Sequence, residues 1–275
     1  MGIRINTNVS SLTAQRHLAN STRGLAKSME RLSSGLRINR AGDDAAGLAI
    51  SEGLKSDIRA LDQAGRNAAD GISMVQVAEG SLDEVSNILL RMKELTEQSL
   101  NGTLSDTDRG YLNAEYTALT NEIDRISDGT KFNGVALLTG GAGSVAIQVG
   151  TETNAWDSIA LDFSNDTDST ALGVTTGIGS VANATSAMTE IDDAIDSVTS
   201  TRADFGAVQN RLESSIRNIA NTSENLSAAN SRIRDVDVAM ETSKLTSFSI
   251  LQQAGVAMLS QANQITGLAL SLIGR

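Results

Sequence analysis

Three groups of residues in this chain have types and spacings that could carry chemistry. The carboxylate pairs Asp43-Asp44 and Asp106/Asp108 could do acid/base work or hold a cation, and His17, the only histidine, could act as a base or ligand. Gly141-Ala142-Gly143-Ser144-Val145-Ala146 and Gly177-Ile178-Gly179-Ser180-Val181-Ala182 have the glycine spacing of a dinucleotide loop. Each reads better as structure. Asp43-Asp44 precede the run Ala45-Ala46-Gly47-Leu48-Ala49-Ile50, where a carboxylate caps free N–H groups and complements the helix dipole. Asp106 and Asp108 lack the other ligands of a calcium loop. His17 has no His-Glu-x-x-His or P-loop companion, and neither glycine run lies between a strand and a helix. With no cysteine there is neither disulfide nor thiolate metal site. The sequence therefore predicts no catalytic, cofactor-binding or metal-binding residue, and no enzyme.

What the sequence does carry is a set of long elements. Ile191, Val198, Phe205, Leu212, Ile219, Leu226, Ile233 and Met240 recur at every seventh position among Ser, Asn, Asp, Arg and Thr. Such a row places a narrow apolar stripe on one helix and favours a left-handed supercoil. At about 1.5 Å per residue this seam alone is roughly 75 Å long, so the helix needs partners along its length. The chain has no proline, which permits such helices, and its aromatics are only 3% of residues, which suits thin seams better than a thick core.

In chain order, residues 1–40 carry Val9, Leu12, Leu18, Leu25, Met29 and Leu32 on a two-per-heptad seam, a segment expected to stay disordered until it finds a partner. A second rod runs from Ala45 to about Leu100, and Asn101-Gly102 ends it. A third helix opens at Ser105-Asp106 and closes at Asp128-Gly129, and the short connection makes the two antiparallel. Val145, Ile147 and Val149, then Ile159, Leu161 and Phe163, alternate and predict a β-hairpin over about 144–163, with Trp156 at the start of the return strand. Residues 164–187 lack periodicity and read as an exposed irregular tip, with the long helix beginning near Met188. Beyond Met240 the seam resumes at Phe248, Leu251, Gly255, Met258, Ala262, Ile265, Ala269 and Leu272. The eleven-residue step from Met240 to Leu251 is a stutter that marks unwinding or a domain boundary. The fold class is thus mainly α: a long antiparallel helical rod or coiled coil with a small β-hairpin, and N- and C-terminal helices paired in a terminal domain.

The net charge of −11 is unevenly spread. Residues 1–40 hold seven Arg/Lys against Glu30, whereas 41–240 hold 13 Arg/Lys against 31 Asp/Glu. The basic residues are scattered without interleaved aromatics, which argues against nucleic acid as a partner. No apolar run is long enough to insert in a membrane, and the N-terminus lacks the pattern of a cleaved secretory signal.

Several motifs resemble those of the bacterial flagellins. They are Ile5-Asn6-Thr7-Asn8, Arg31-Leu32-Ser33-Ser34-Gly35-Leu36-Arg37-Ile38-Asn39 and Asp43 to Ile50 on the N-terminal side. On the C-terminal side they are Gly206 to Glu213, Ser231-Arg232-Ile233, Gln252-Gln253-Ala254 and Gln261-Ala262-Asn263, with Phe132-Asn133-Gly134 and Ile147 to Gly150 in the middle. The resemblance implies a terminal helical domain of 1–40 with 241–275 that forms the filament core. It also implies a rod domain of 41–240 with the hairpin and the tip at 164–187. By the same resemblance the chain self-assembles into the flagellar filament for swimming motility, outside the cell, after export without a cleaved signal. An export chaperone, cap and junction proteins would be its partners. Arg91, Leu95 and Glu115 match the places at which many flagellins meet a host Toll-like receptor, although Thr96-Glu97 departs from the usual small apolar pair. Where family insertions form large outer domains, this chain has only the short tip. Two alternatives stay open: a hook-filament junction protein with the same end pattern, and a secreted coiled-coil adaptor.

The assembly residues on this reading are Val9, Leu12, Leu18, Leu25, Met29, Leu32, Phe248, Leu251, Gly255, Met258, Ala262, Ile265 and Leu272; the rod seam is Ile191, Val198, Phe205, Leu212, Ile219, Leu226 and Ile233. At about 25 cal/mol per Å², burial of such seams among many neighbours offsets the entropy of ordering them.

Overall fold

The computed structural model describes residues 7–273, with side chains through 264. The chain forms two compact units, Met1–Ser56 with Asn225–Arg275, and Asp57–Glu224.

In the first unit, α1 (Val9–Ser34) starts at Asn8, whose side chain accepts the Ser11 N–H at 3.1 Å, and stops at Gly35, in the left-handed region at φ 73°. Far from being partnerless, it lies antiparallel against α5 (Val238–Ile273). The two ends of the chain supply each other's partner, so the helix forms within one chain. α2 (Ala45–Leu100) begins as the sequence suggests: Asp44 Oδ1 accepts the Gly47 N–H at 2.9 Å, while Asp43 pairs with Lys27 at 2.6 Å and accepts the N–H groups of Asn39 and Arg40.

The stutter is a true break. α4 (Val181–Arg234) ends at Arg234 and α5 restarts after Asp237, whose side chain accepts the Met240 N–H at 3.0 Å. The gap is held by backbone pairing with the α1–α2 connection, Arg37 N–H to Arg234 O at 2.7 Å and Val236 N–H to Gly35 O at 3.0 Å. Met240 consequently belongs to α5 and is 56% exposed, not on the rod seam.

The second unit is a three-helix rod with a hairpin. α3 (Asp106–Gly129) opens with a capping box of Ser105 and Asp108. α2 and α3 run antiparallel, with Arg109 donating to the carbonyls of Ser99 and Asn101, and α4 runs antiparallel to α2, with Lys93 on Asp192 at 2.6 Å. Their shared seam is apolar and dry: Val75, Leu82, Val85, Leu89 and Met92 meet Ile191, Val198 and Leu212, all at 1% exposure or less. The predicted hairpin is β3 (Gly143–Gln148) and β4 (Ser158–Phe163), paired antiparallel with Val145 opposite Leu161. It packs through Phe163, whose ring centroid is 5.3 Å from that of Phe205, and through Ile147 beside Gly71.

Two elements differ from expectation. A small hairpin, β1 (Lys131–Phe132) with β2 (Val135–Ala136), turns at Asn133 and Gly134, both at positive φ. The segment after β4 is irregular but not exposed: Leu172, Val174 and Ile178 are buried, and α4 starts at Val181, seven residues before Met188. Its backbone is anchored by side chains, since Glu190 accepts the N–H groups of Thr175 and Thr176 and Asn113 accepts that of Ile178. Contacts of this kind replace the periodic pattern that marks a helix or strand.

Candidate assembly surface

The α1/α5 pair is held by small and polar residues. Going along it, Asn8 Nδ2 donates to Ala262 O at 2.9 Å, and Ser11 Oγ to Asn263 Oδ1 at 3.0 Å. A Cβ on Gly255 would stand 3.3 Å from Leu18, and one on Gly24 would stand 2.7 Å from the Phe248 ring, so each glycine lets a larger side chain lie across the partner helix. At the far end Ser28 Oγ donates to Glu241 Oε1 at 2.6 Å, with Lys244 at 3.3 Å and Arg31 at 3.8 Å from the same carboxylate. The Ser28 hydrogen bond is the main reason that this buried carboxyl stays below its ordinary range, with Lys244 and Arg31 adding to it against the cost of burial.

Ser11, Ser28, Glu241 and Ala262 are thus the buried positions among the described residues of the pair, and the large apolar side chains lie elsewhere. Val9, Leu12, Met29, Ile250, Leu251, Val256 and Met258 are between 52% and 65% exposed. Leu18, Leu25, Leu32, Phe248 and Gly255 are half-buried at the helix contact. Along one side runs a groove of about 650 Å³ lined by Val9, Thr13, Ala14, His17 and Leu18 from α1 and by Leu251, Ala254, Gly255 and Met258 from α5. Contiguous exposed apolar surface of this kind marks an interaction site.

The predicted assembly residues therefore divide. Ala262 is inside the pair, Val9, Leu12, Met29, Leu251 and Met258 face outward, and Ile265 and Leu272, with Ala269, lie outside the described side chains. Sequence reasoning missed Ile250 and Val256, which fall off the two-per-heptad row. The signal was there, because α5 has apolar residues on more than one face. It also missed Ser28 and Glu241, whose polarity hid them from an apolar pattern. On the rod, Ile191, Val198, Phe205, Leu212 and Ile219 are at 9% exposure or less, while Leu226 and Ile233 are half-buried.

The Arg91 region is a separate surface. Its guanidinium donates to Glu115 at 2.9 and 3.1 Å and to Glu94 at 2.8 Å, so Arg91 and Glu115 form an exposed bridge from α2 to α3. Leu95, expected beside them as a contact, is 1% exposed and faces the rod interior, because its heptad position follows that of Met92 on the buried seam. Glu94 stands next to Arg91 instead.

A rod that buries its own seam, joined to a helix pair that leaves its apolar side chains outside, defines a class: a helical subunit of an open polymer, whose contacts are completed by further copies. The chain matches the bacterial flagellin N-terminal helical region over residues 5–142 and the C-terminal helical region over 188–273. It is 48% identical to a flagellin of Halalkalibacterium halodurans over 272 residues, which cover 98% of this chain and 99% of that one. It is 46% identical to the flagellar filament 33 kDa core protein of Treponema phagedenis over 286 residues, 98% and 99% of the two chains. The crystal structure of Bacillus cereus flagellin is similar at a TM-score of 0.50 and 34% identity, covering 60% of this chain and 94% of that one. The chain belongs to the bacterial flagellin family. It is a structural subunit that assembles with itself into the extracellular flagellar filament. Among the described residues no helix is long and apolar enough to cross a membrane.

Proposed function

We propose that assembly is driven by burial of the outward apolar faces of α1 and α5 between neighbouring subunits. The observation that carries this reading is the inverted arrangement of the pair. Its fully buried positions are Ser11, Ser28, Glu241 and Ala262, Leu18 and Phe248 are half-buried at the contact, and Leu251 and Met258 are left in water at 53% and 65% exposure. Water disfavours such a stripe by about 25 cal/mol per Å², and a second copy can remove it. On this reading residues 1–40 and 241–275 become the filament core and 41–240 the surrounding rod. The chain has no catalytic role, and an export chaperone covers its C-terminal end until cap and junction proteins direct assembly.

Seeded polymerisation of the purified chain, read by sedimentation and electron microscopy, tests this. The wild type should extend sheared fibres into long filaments, and a variant lacking residues 1–40 should not. The double variant Leu251→Asp, Met258→Asp should also remain soluble with its α1/α5 pair intact. Filaments of normal length from that double variant would sink the proposal, and a wild type that only caps the seeds would favour the junction-protein alternative.

The exposed Arg91–Glu115 bridge supports a second partner, a host Toll-like receptor meeting α2 and α3 on this face. Arg91→Ala should lower activation of a receptor-reporter cell at least tenfold. Unchanged activation would remove this surface from consideration.

A further inference from the structure

We infer that the connection between α2 and α3 promotes its own deamidation: the fold makes the Asn101-Gly102 peptide a modification site at which Asn101 becomes aspartate or isoaspartate. The inference stands on the geometry of this connection alone and is independent of how subunits pack.

The chain has two Asn-Gly pairs, Asn101-Gly102 and Asn133-Gly134. In such a pair the glycine nitrogen can attack the asparagine side-chain carbonyl, because glycine has no Cβ to shield that nitrogen. The fold treats the two pairs differently. Asn101 and Gly102 are exposed in the turn that follows α2. Asn101 Oδ1 accepts the Thr103 N–H at 3.1 Å, and the ring closed by that hydrogen bond encloses the Gly102 nitrogen, so the side-chain carbonyl is kept folded back over the glycine peptide. The backbone carbonyl of Asn101, which shares a peptide with the Gly102 nitrogen, accepts from Arg109 Nη2 at 3.0 Å and from the Leu104 N–H at 3.3 Å. Arg109 is 6% exposed and is fixed there by Ser99 O at 2.9 Å and Asp106 at 3.2 Å. Among the described residues the Gly102 N–H donates to no partner, so its proton is open to water. Asn133, in contrast, sits at positive φ in the β1/β2 hairpin, where Phe132 and Val135 pair directly across the turn, and attack there has to break that pairing.

These contacts fit each step of the reaction. Hydroxide removes the Gly102 amide proton, and the charge that appears on the Asn101 backbone oxygen meets a guanidinium and an N–H already aimed at it. The nitrogen then bonds to the side-chain carbon, and the oxyanion formed on Oδ1 is held by the Thr103 N–H. Collapse breaks the carbon–nitrogen bond of the side-chain amide, which leaves as ammonia after taking a proton from water, and a cyclic succinimide remains. Water opens either carbonyl of that ring to give aspartate or isoaspartate, so the net change is one water in and one ammonia out. Each converted subunit adds a negative charge to a chain of net charge −11. The new carboxylate stands at the C-terminal end of α2, where the helix dipole disfavours it, and isoaspartate adds a methylene to the connection that Arg109 ties down. In a filament outside the cell the change accumulates with the age of the subunit.

The experiment incubates the full chain at pH 7.5 over days, folded and in concentrated urea, and reads asparagine, aspartate and isoaspartate at both positions by peptide mapping with mass spectrometry. In the folded chain Asn101 should convert about tenfold faster than Asn133 and about tenfold faster than Asn101 does in urea, where the two positions should become alike. A Cβ on Gly102 meets nothing within 4 Å, so Gly102→Ala leaves the turn in place and should slow position 101 by about tenfold while Asn133 is unchanged. Arg109→Lys keeps the buried charge but not the planar fork, and should slow Asn101 by about fivefold. Conversion of Asn101 that is no faster in the folded chain than in urea would overturn the inference. So would Arg109→Lys converting as fast as the wild type or faster, which would make mobility of the turn the cause rather than its contacts. An unchanged rate in Gly102→Ala would assign the reaction to direct hydrolysis of the side-chain amide and overturn it as well.

Discussion

The terminal helix pair and the rod solve opposite problems with the same kind of sequence repeat. In the rod, Leu82, Leu89 and Met92 of α2 face Ile191 and Val198 of α4, and all are at 1% exposure or less. In the pair the buried positions are Ser11, Ser28, Glu241 and Ala262, and Leu251 and Met258 are more than half exposed. One region spends its apolar surface on its own fold. The other leaves much of that surface outside and holds itself together with hydrogen bonds, each worth about 1 kcal/mol, and with close glycine contacts to half-buried Leu18 and Phe248. A region that is already helical and keeps apolar groups outward is what association between copies requires.

The strongest way to break this comparison is to place a charge on each side of the pair. Met258→Asp puts a carboxylate on the outward face and should abolish polymerisation while leaving the helical circular dichroism of the free chain unchanged. Ala262→Asp puts it where Asn8 reaches the backbone of residue 262 in a site 8% exposed, so polymer and helix pair should both be lost. If the two variants behave alike, with helicity retained in both, the distinction between inner and outer faces is wrong.

Next in size is a cavity in the rod. Leu89→Ala empties a site at 0% exposure and should cost about 3 kcal/mol in urea unfolding of that unit. The corresponding change on the pair, Leu251→Ala, should cost the monomer less than about 0.5 kcal/mol and weaken the filament instead. Equal monomer losses would mean that both regions bury their seams.

A tighter test concerns the glycine contact. Gly24→Ala adds a methyl group 2.7 Å from the Phe248 ring, which must tilt or push the helices apart. The helix gains about 1 kcal/mol of propensity from losing a glycine, so strain of about 1–3 kcal/mol leaves a net loss of up to about 2 kcal/mol. A hydrogen-exchange comparison confined to α1 and α5 would read it, and faster exchange there is the expected result.

The sequence made the rod legible because its partners are within the chain: periodicity located α2 and α3 closely, and the alternation of Val145, Ile147, Ile159 and Leu161 placed the hairpin. It failed where order comes from single contacts. Leu172, Val174 and Ile178 are buried one at a time by side chains such as Glu190 and Asn113 that cap loop backbone, and no repeat announces that. The assembly surface was half legible for a related reason. An apolar row says that something will be covered but not by what, so Ala262, covered within the chain, and Met258, left open, looked alike. Leu95 misled in the reverse sense: its place in a motif suggested a surface, and its place in the heptad put it inside.

The smallest effect sharpens the comparison at the start of α2, where the first unit depends on charge. Asp43 lies 2.6 Å from Lys27 and accepts the N–H groups of Asn39 and Arg40; the Lys27 hydrogen bond is the main reason that its carboxyl titrates at about 2 rather than 3.8. A folded-state value below the unfolded one means stability that is present above about pH 4 and lost as pH falls toward 2. Because the Lys27 side chain is 51% exposed, solvent screening limits the gain to about 1 kcal/mol or less. Asp43→Asn should therefore lower the stability of the monomer slightly at pH 6 and flatten its decline between pH 4 and 2, as followed by thermal melts. The exposed ion pairs of the rod, such as Lys93 with Asp192, do not cap a connection, so Lys93→Gln should leave that acid slope unchanged. An acid slope that survives Asp43→Asn but disappears in Lys93→Gln would place the charge-dependent part of the monomer in the rod and not at the terminal unit.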